Sequence, residues 1–507
     1  MQCAHSFAGV LTTLIATFWL LPTFAKCEEA PKVQEPFFGV HVVDPATGAG
    51  VPLVELKTNN EVTYWTDSNG WVAFAEPGLM GQEVYFQVAS PGYWFKPDGF
   101  GFRGVRLHPE AGASATIELP RHNIAQRLCR LTGEGIFRDS GLLGLPLPAG
   151  MKNLNAGVTG QDSVQVVPYQ GKLFWLWGDT NIASYPLGNF QTTCATSSLP
   201  VDGLPSPERG VPFEYFTQEN GQLRPMAPLD GPGPVWLFGL FAITKADGNE
   251  ALYAHFTRHK SLSEVVEHGV MKFDDEAGIF KKVANFDLNE LWRGPQGNAF
   301  VVEDADGVQR VYFAHPLAHT RVAADEKSIL DQHAYESLVF DAGEQQYVWR
   351  RDVPPTRQKE EQQLQRSGTM PADVARYRLI DVENDQPIVI HGSSIAWNDF
   401  RQKWILIGNQ AGDQDAPSYL GEVWYAEAES PTGPWNSAIK IATHPKYSFY
   451  NPRQHPFFST DGGRVIYFEG TYTAMFSAAK SPTPRYDYNQ LLYRLDLSDA
   501  KLKAAQK

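Results

Sequence analysis

Between residues 37 and 120 apolar and polar positions alternate in short runs. Segments 38–43, 63–65, 71–74 and 84–88 are separated by Asp44-Pro45, Asn59-Asn60, residues 67–70 and Pro77-Gly78. A period of two with closely spaced turn signals and no helical repeat predicts a small β-sandwich. Residues 121–150 break that pattern. They carry an expected short helix at 123–128 and a Gly/Leu/Pro stretch at 141–150, together an inter-domain connection.

From 151 to 497 the pattern returns as five hairpins, expected at 162–177, 235–256, 299–314, 394–407 and 455–468. Turn residues lie between the strands of each, and each is followed by further strand-like sequence. About 69 residues per unit suits a four-stranded sheet plus loops, so the expected fold is all-β: a five-bladed β-propeller behind an N-terminal β-sandwich. The polar segment 355–376 reads as a helical excursion between the third and fourth blades.

Residues 1–25 contain no charged side chain and include an apolar run at 7–21 followed by Thr23-Phe24-Ala25. This is the layout of a signal peptide, so export to the periplasm or beyond is expected. No later stretch has the length of a membrane span. Removing the leader would leave Cys27, Cys129 and Cys194, an odd number with unassigned pairing.

Composition narrows the partners. Forty-three Lys+Arg against 57 Asp+Glu give a net charge of −14, which excludes a basic surface for nucleic acid. No dinucleotide fingerprint, P-loop, nucleophile elbow or metal-ligand spacing occurs, so neither a cofactor nor a metal is expected. The chain is rich in Trp and Tyr, residues that fill β-sheet cores and also stack on sugar rings.

A hairpin returns to the end from which it starts, which brings Asp162 and Asp179 to one face of the disk. Two carboxylates at a channel mouth match the needs of glycoside hydrolysis. The same reasoning places Arg258, His315, Asn409 and Glu469 at second-strand ends, and Asn298, Ser393 and His455 near first-strand starts. Arg258, His315 and His455 are expected to orient hydroxyl or carboxylate groups of a sugar, with Trp177 beside them.

Gly50-Val51-Pro52-Leu53-Val54-Glu55-Leu56, followed by Thr66-Asp67-Ser68-Asn69-Gly70-Trp71, resembles the carboxypeptidase-regulatory-like (transthyretin-like) modules. The resemblance implies a carrier or positioning role for residues 37–120. Gln161-Asp162-Ser163 through Trp175-Leu176-Trp177-Gly178-Asp179-Thr180, with residues 422–435 downstream, resembles the arabinanase/levansucrase/sialidase-like propeller glycosidases. The Trp177-Gly178-Asp179-Thr180 element is also similar to a family that includes bacterial endo-D-arabinanases.

This second resemblance implies action on furanosidic or other glycans with Asp162 as base or nucleophile; beside it, Asp179 is expected to act as pKa modulator or substrate ligand. Arabinanase-type enzymes carry further acidic residues at the second and third inner strands. Here those regions read Pro232-Gly233-Pro234-Val235-Trp236 and Gln296-Gly297-Asn298. The general acid is therefore expected from Glu469, preferred over Glu336. The alternative is a non-catalytic extracellular propeller that binds glycan or protein through the same funnel.

Overall fold

The computed structural model describes residues 37–189, 192–261, 263–412 and 419–506. The expected signal segment, with Cys3 and Cys27, lies outside the described residues; Cys129 and Cys194 are buried free thiols. The chain is all-β. Among the described residues no helix is long and apolar enough to cross a membrane.

Residues 38–118 form two sheets. One has the order Trp71–Phe74, Phe38–Val43, Ser114–Glu118, and the other Thr63–Trp65, Glu55–Thr58, Val84–Ala89, Gly104–Leu107. Alternate residues of both, among them Val40, Val42, Val72 and Phe74 of the first and Leu56, Phe86 and Val88 of the second, enter one shared core. This pair of sheets is fastened to the rest of the chain. The buried Arg127 guanidinium donates to the Pro52 carbonyl at 2.8 and 3.1 Å and to the Pro91 carbonyl at 3.0 Å. Tyr486 donates to the Thr66 carbonyl at 2.6 Å.

Five larger sheets follow. The first comprises Gln165–Tyr169, Lys172–Trp177, Thr193–Ser198 and Glu214–Tyr215, and the second Val235–Thr244, Glu250–Ser261, Glu264–Asp274 and Ile279–Asn285. The third begins with Asn298–Glu303 and Gln309–Ala314, and the fourth with Ile390–Asn398 and Lys403–Gln410. The fifth comprises Ser448–Gln454, Val465–Thr473, Asn489–Asp496 and, as its outermost strand, Gln126–Arg130. The stretch expected to be a short helix within a connection is thus that outer strand, paired antiparallel as Leu492↔Cys129 and Tyr493↔Arg127. Pairing with the open edge of Asn489–Asp496 wins over the helical reading. The helix expected within 355–376 is present at Gln358–Arg366.

Both faces of each sheet are covered, and the sequence shows why. In Lys172–Trp177 the run Leu-Phe-Trp-Leu-Trp is continuously apolar. Leu173, Trp175 and Trp177 pack with Val465, Tyr467 and Leu492 of the fifth sheet, while Phe174 and Leu176 pack with Leu237, Leu252 and Phe256 of the second. A strand buried on both faces loses the polar half of its alternation. Phe241 and Tyr253 join Val311 and Phe313 between the second and third sheets. Tyr312 and Ala314 join Ile395 and Leu406 between the third and fourth. Ile405 and Ile407 join Phe468 and Tyr493 between the fourth and fifth. Every neighbouring pair of sheets shares one core, the fifth and first included. Truncating Trp175, which has no exposed surface, costs about 3–5 kcal/mol by the cavity it leaves.

Four hairpins fall where the sequence pattern puts them, and the fifth does not. Residues 456–458, expected in its first strand, form a 3-10 turn, and the inner strand is Ser448–Gln454 upstream. Pro456 has no N–H to give a ladder, and Pro452 concealed the true strand. The strand accommodates Pro452 with a register shift between Tyr450 and Arg453, Asn451 adopting φ 50°.

Candidate active site

The first strands of all five sheets converge on a polar cavity of about 430 Å³. Its lining includes Asp162, Asp179, Trp236, His259, Asn298, His315, Ser393, Asn451 and Arg453. Asp162 and Asp179 sit where a narrow ribbon, Val158–Gln161 paired with Thr180–Ile182, branches from the first sheet. Backbone bonds lock the branch: Asp162 N–H to the Asp179 carbonyl at 3.2 Å, and Gly178 N–H to the Asp162 carbonyl at 3.0 Å. A Cβ at Gly178 would lie 2.5 Å from Asp162 Oδ1, so any side chain there would displace that carboxylate.

Asp162 Oδ1 accepts the Asp179 N–H at 2.8 Å and Oδ2 accepts the Tyr450 hydroxyl at 2.7 Å. Burial is the largest influence on this carboxyl and pushes its pKa up to about 6. The Tyr450 and Tyr488 hydroxyls counter that rise and the Asp179 charge adds to it. Asp179 Oδ1 accepts the Trp236 indole N–H at 2.9 Å. Its pKa is raised by burial and partly restored by that bond. Ser163, Asn451 and Tyr488, close around Asp162, have φ of 55°, 50° and 58°, left-handed backbone that side chains seldom adopt. Asn451 Nδ2 donates to Ser163 Oγ at 2.8 Å, tying two of them together. Strain gathered beside one carboxyl is a mark of pre-organised sites.

Two imidazoles face the same space. His315 presents its ring to the cavity, and desolvation by the walls, then the charges of His391 and Arg357, lower its pKa to about 4. Burial lowers the His259 pKa, and its Nε2 is bonded to Thr257 Oγ1 at 2.8 Å. Asn298 donates to the Ile395 carbonyl at 3.2 Å, and Ser393 bonds to the Pro316 carbonyl. Among the described residues no group of three His, Cys, Asp or Glu side chains is arranged to hold a metal ion.

The cavity therefore unites Asp162, Asp179, Asn298, His315 and Ser393 of the residues singled out from sequence. The other five lie elsewhere. Trp177 is fully buried between the first and fifth sheets. Arg258 pairs with Glu267 at 2.9 Å, outside the cavity lining. Asn409 is fully buried and accepts the Gly392 N–H at 3.1 Å, which fixes the inner strand of the fourth sheet.

Glu469 and His455 form a sealed pair at 2.7 Å, their side chains 1% and 0% exposed. Glu469 was expected at the end of a strand, but its strand runs on to Thr473. The level of Asp162 is reached two residues later, about 7 Å along the strand, where Thr471 Oγ1 accepts the Ser163 N–H at 3.0 Å. Glu336 is held by Arg321 at 2.8 Å and Arg351 at 3.3 Å and is likewise outside the lining.

Trp236, His259, Tyr450, Arg453 and Tyr488 escaped the sequence reading. Tyr450 and Arg453 lay in the strand hidden by Pro452. Tyr488 lies on a connecting segment with no periodicity to place it. Trp236 was seen only as strand filling.

No family model matches the chain, and no curated protein matches its sequence. Among solved structures it is similar to a putative hydrolase from Bacteroides ovatus, with a TM-score of 0.39 at 12% identity, over 67% of this chain and 86% of that one. The exo-beta-1,3-galactanase from Phanerochaete chrysosporium gives 0.36 at 12% identity, over 69% and 63%. The endo-1,5-alpha-L-arabinanase from Thermotoga petrophila gives 0.34 at 12% identity, over 68% and 73%.

Proposed function

We propose that the protein is an exported glycoside hydrolase: a five-bladed β-propeller that works on polysaccharides at its polar channel mouth and carries an N-terminal β-sandwich of the carboxypeptidase-regulatory-like kind. The five sheets with five shared cores support the propeller, and the two sheets around one core at 38–118 support the sandwich. Export rests on the uncharged apolar leader.

The observation that carries the activity is a pair of aspartates in one strained, five-sided cavity, one of them with a pKa near 6. Hydrolysis of a glycoside requires one protonated and one ionised carboxyl near neutrality. Asp162, the more strongly shifted, is the acid. Its proton passes to the glycosidic oxygen as the bond to the anomeric carbon breaks. Asp179, whose carboxylate form the Trp236 indole N–H favours, serves as base to water or as nucleophile. Trp236 holds its carboxylate, and His315 presents its ring to sugar hydroxyls.

Release of reducing ends from a panel of plant, algal and bacterial polysaccharides tests the activity. Aryl glycosides then separate the roles. Asp162→Asn should keep activity where the leaving group needs no proton, whereas Asp179→Asn should lose it and regain rate with azide. The reverse pattern exchanges the roles, and normal polysaccharide turnover by both variants rejects the site.

One observation favours a second reading, a non-catalytic glycan-binding propeller. The carboxylate expected as acid, Glu469, is sealed against His455, and the described cavity lining holds two aspartates and no glutamate. Glycan binding without release of reducing ends would establish it.

A further inference from the structure

The N-terminal pair of sheets and the fifth large sheet border a groove of about 750 Å³. One bank is the outer face of the strand Glu55–Thr58 and its neighbours. Leu56 turns into the core of the sheet pair, so Glu55 takes the opposite face with Trp65 and Ala89, which stand across from it in the register. Glu55 and Trp65 are half-buried there. The other bank is built from Lys446, Tyr447, Tyr472, Ala479 and residues 481–484. It is firmly held. The Tyr447 and Tyr472 rings stack at 4.0 Å, and the Tyr447 hydroxyl accepts the Thr483 N–H at 2.8 Å and donates to Asp487 Oδ1 at 2.6 Å. Pro482 and Pro484 restrict the backbone on either side of Thr483.

Two charged groups on these banks are idle. Among the described residues neither the Glu55 carboxyl nor the Lys446 ammonium has a hydrogen-bond or ion-pair partner. Lys57, on the same strand as Glu55, is bonded to Glu61 at 2.9 Å. A half-buried carboxyl without a partner carries a desolvation cost that a ligand hydroxyl would relieve. An acceptor, a donor and an indole face are the contacts a sugar ring can satisfy, through its hydroxyls and its C–H face. Concave seams between domains are common places for such sites.

The groove lies at the same end of the large sheets as Asp162. Tyr447 adjoins the inner strand Ser448–Gln454, and Tyr450, which donates to Asp162, follows three residues or about 10 Å along the chain. Phe476, three residues ahead of Ala479 on the segment that forms the second bank, is 56% exposed at φ 56° and sets its ring against Tyr450 at 5.9 Å. An apolar ring held outward in left-handed backbone beside Tyr450 adds a surface between the acid's partner and the groove.

We propose that the groove is a second glycan-binding site, which holds a distal stretch of the polysaccharide cut at Asp162 and Asp179. Trp65 stacks on a sugar ring, and Glu55 and Lys446 bond to its hydroxyls. The proposal rests on the hydrolase reading for the identity of the chain, and it gives the N-terminal sheets a part in holding substrate.

Native gels cast with arabinan, arabinogalactan, glucuronoxylan or alginate measure binding by the full-length protein as retardation. At least one polymer should retard it, and Trp65→Ala and Glu55→Ala should raise the apparent Kd for that polymer about fivefold and about threefold. Trp65→Phe, which keeps a ring, should lose less than Trp65→Ala, and Glu55→Ala serves if Trp65→Ala does not fold. A disaccharide of the same sugar fills only the cleavage site. The kcat/KM on polymer relative to that on disaccharide should therefore fall about fivefold in Trp65→Ala, a ratio that a purely structural role would not move. Polymer binding at wild-type strength by both folded variants, or an unchanged ratio, overturns the second site while the hydrolase reading stands. Retardation that the variants lose, with no glycan cleaved by any form, removes the hydrolase reading and keeps the groove as a glycan site. Absence of both retardation and cleavage with every polymer removes both.

Discussion

Two acidic clusters lie near the axis of this molecule, and their chemistry differs because their surroundings do. Asp162 and Asp179 line a cavity of about 430 Å³, and burial raises both pKa values. Glu469 lies on a neighbouring strand, fully enclosed and bonded to His455 at 2.7 Å. All three are carboxylates on or beside antiparallel strands near the same channel. A difference of two residues in strand level separates a group that can meet a ligand from one that holds two strands together.

Substitution breaks this comparison most directly. Asp162→Asn and Asp179→Asn should each lower kcat/KM on the natural polymer about 10³-fold with the fold intact, measured with far-UV circular dichroism as a control. Glu469→Ala should leave the kcat/KM of the folded protein close to wild type. It should lower stability by about 1–3 kcal/mol in urea titration, because a buried imidazole N–H loses its acceptor. Loss of turnover in a stable Glu469→Ala protein would restore Glu469 as the acid.

Proton linkage gives the next effect. Asp162 has a folded pKa of about 6 against roughly 4 unfolded, so between these values the folded state binds the extra proton. Stability from this group therefore falls as pH rises through that window, by about 2–3 kcal/mol once it is passed. Relative to wild type, Asp162→Asn should be more stable at pH 7.5 than at pH 4 by that amount. The same titration should appear as loss of kcat/KM on the alkaline side of about pH 6, since the acid must carry its proton. The smallest effect concerns Tyr450. Its hydroxyl favours the ionised carboxylate, so Tyr450→Phe should move the alkaline limb upward by about half a unit. A downward move would mean that Asp162 is governed by another neighbour.

Much of the strand layout was legible because each sheet is buried on both faces. Runs such as Leu173 to Trp177 and Ile405 to Ile407 announce themselves as apolar, and turn residues mark where they end. Asp162 and Asp179 were legible for a related reason: a tight hairpin brings its two ends together whatever surrounds it. Longer-range placement was not. The strand Gln126–Arg130 has its partner more than 350 residues away, and nothing local distinguishes it from a helical turn. The inner strand of the fifth sheet carries Pro452, so its place was given to a segment that turns out to be a 3-10 turn, and His455 and Glu469 were misplaced with it.

The sequence by itself determined an all-β chain, the hairpin that joins Asp162 to Asp179, and an acidic charge balance, because these follow from local period, turn chemistry and composition. Tertiary structure alone decided which side chains share the cavity and which are sealed. That depends on the level each strand reaches and the face each residue turns to its neighbour, and a shift of two positions along a strand is enough to exchange a solvent-facing acid for a buried pair.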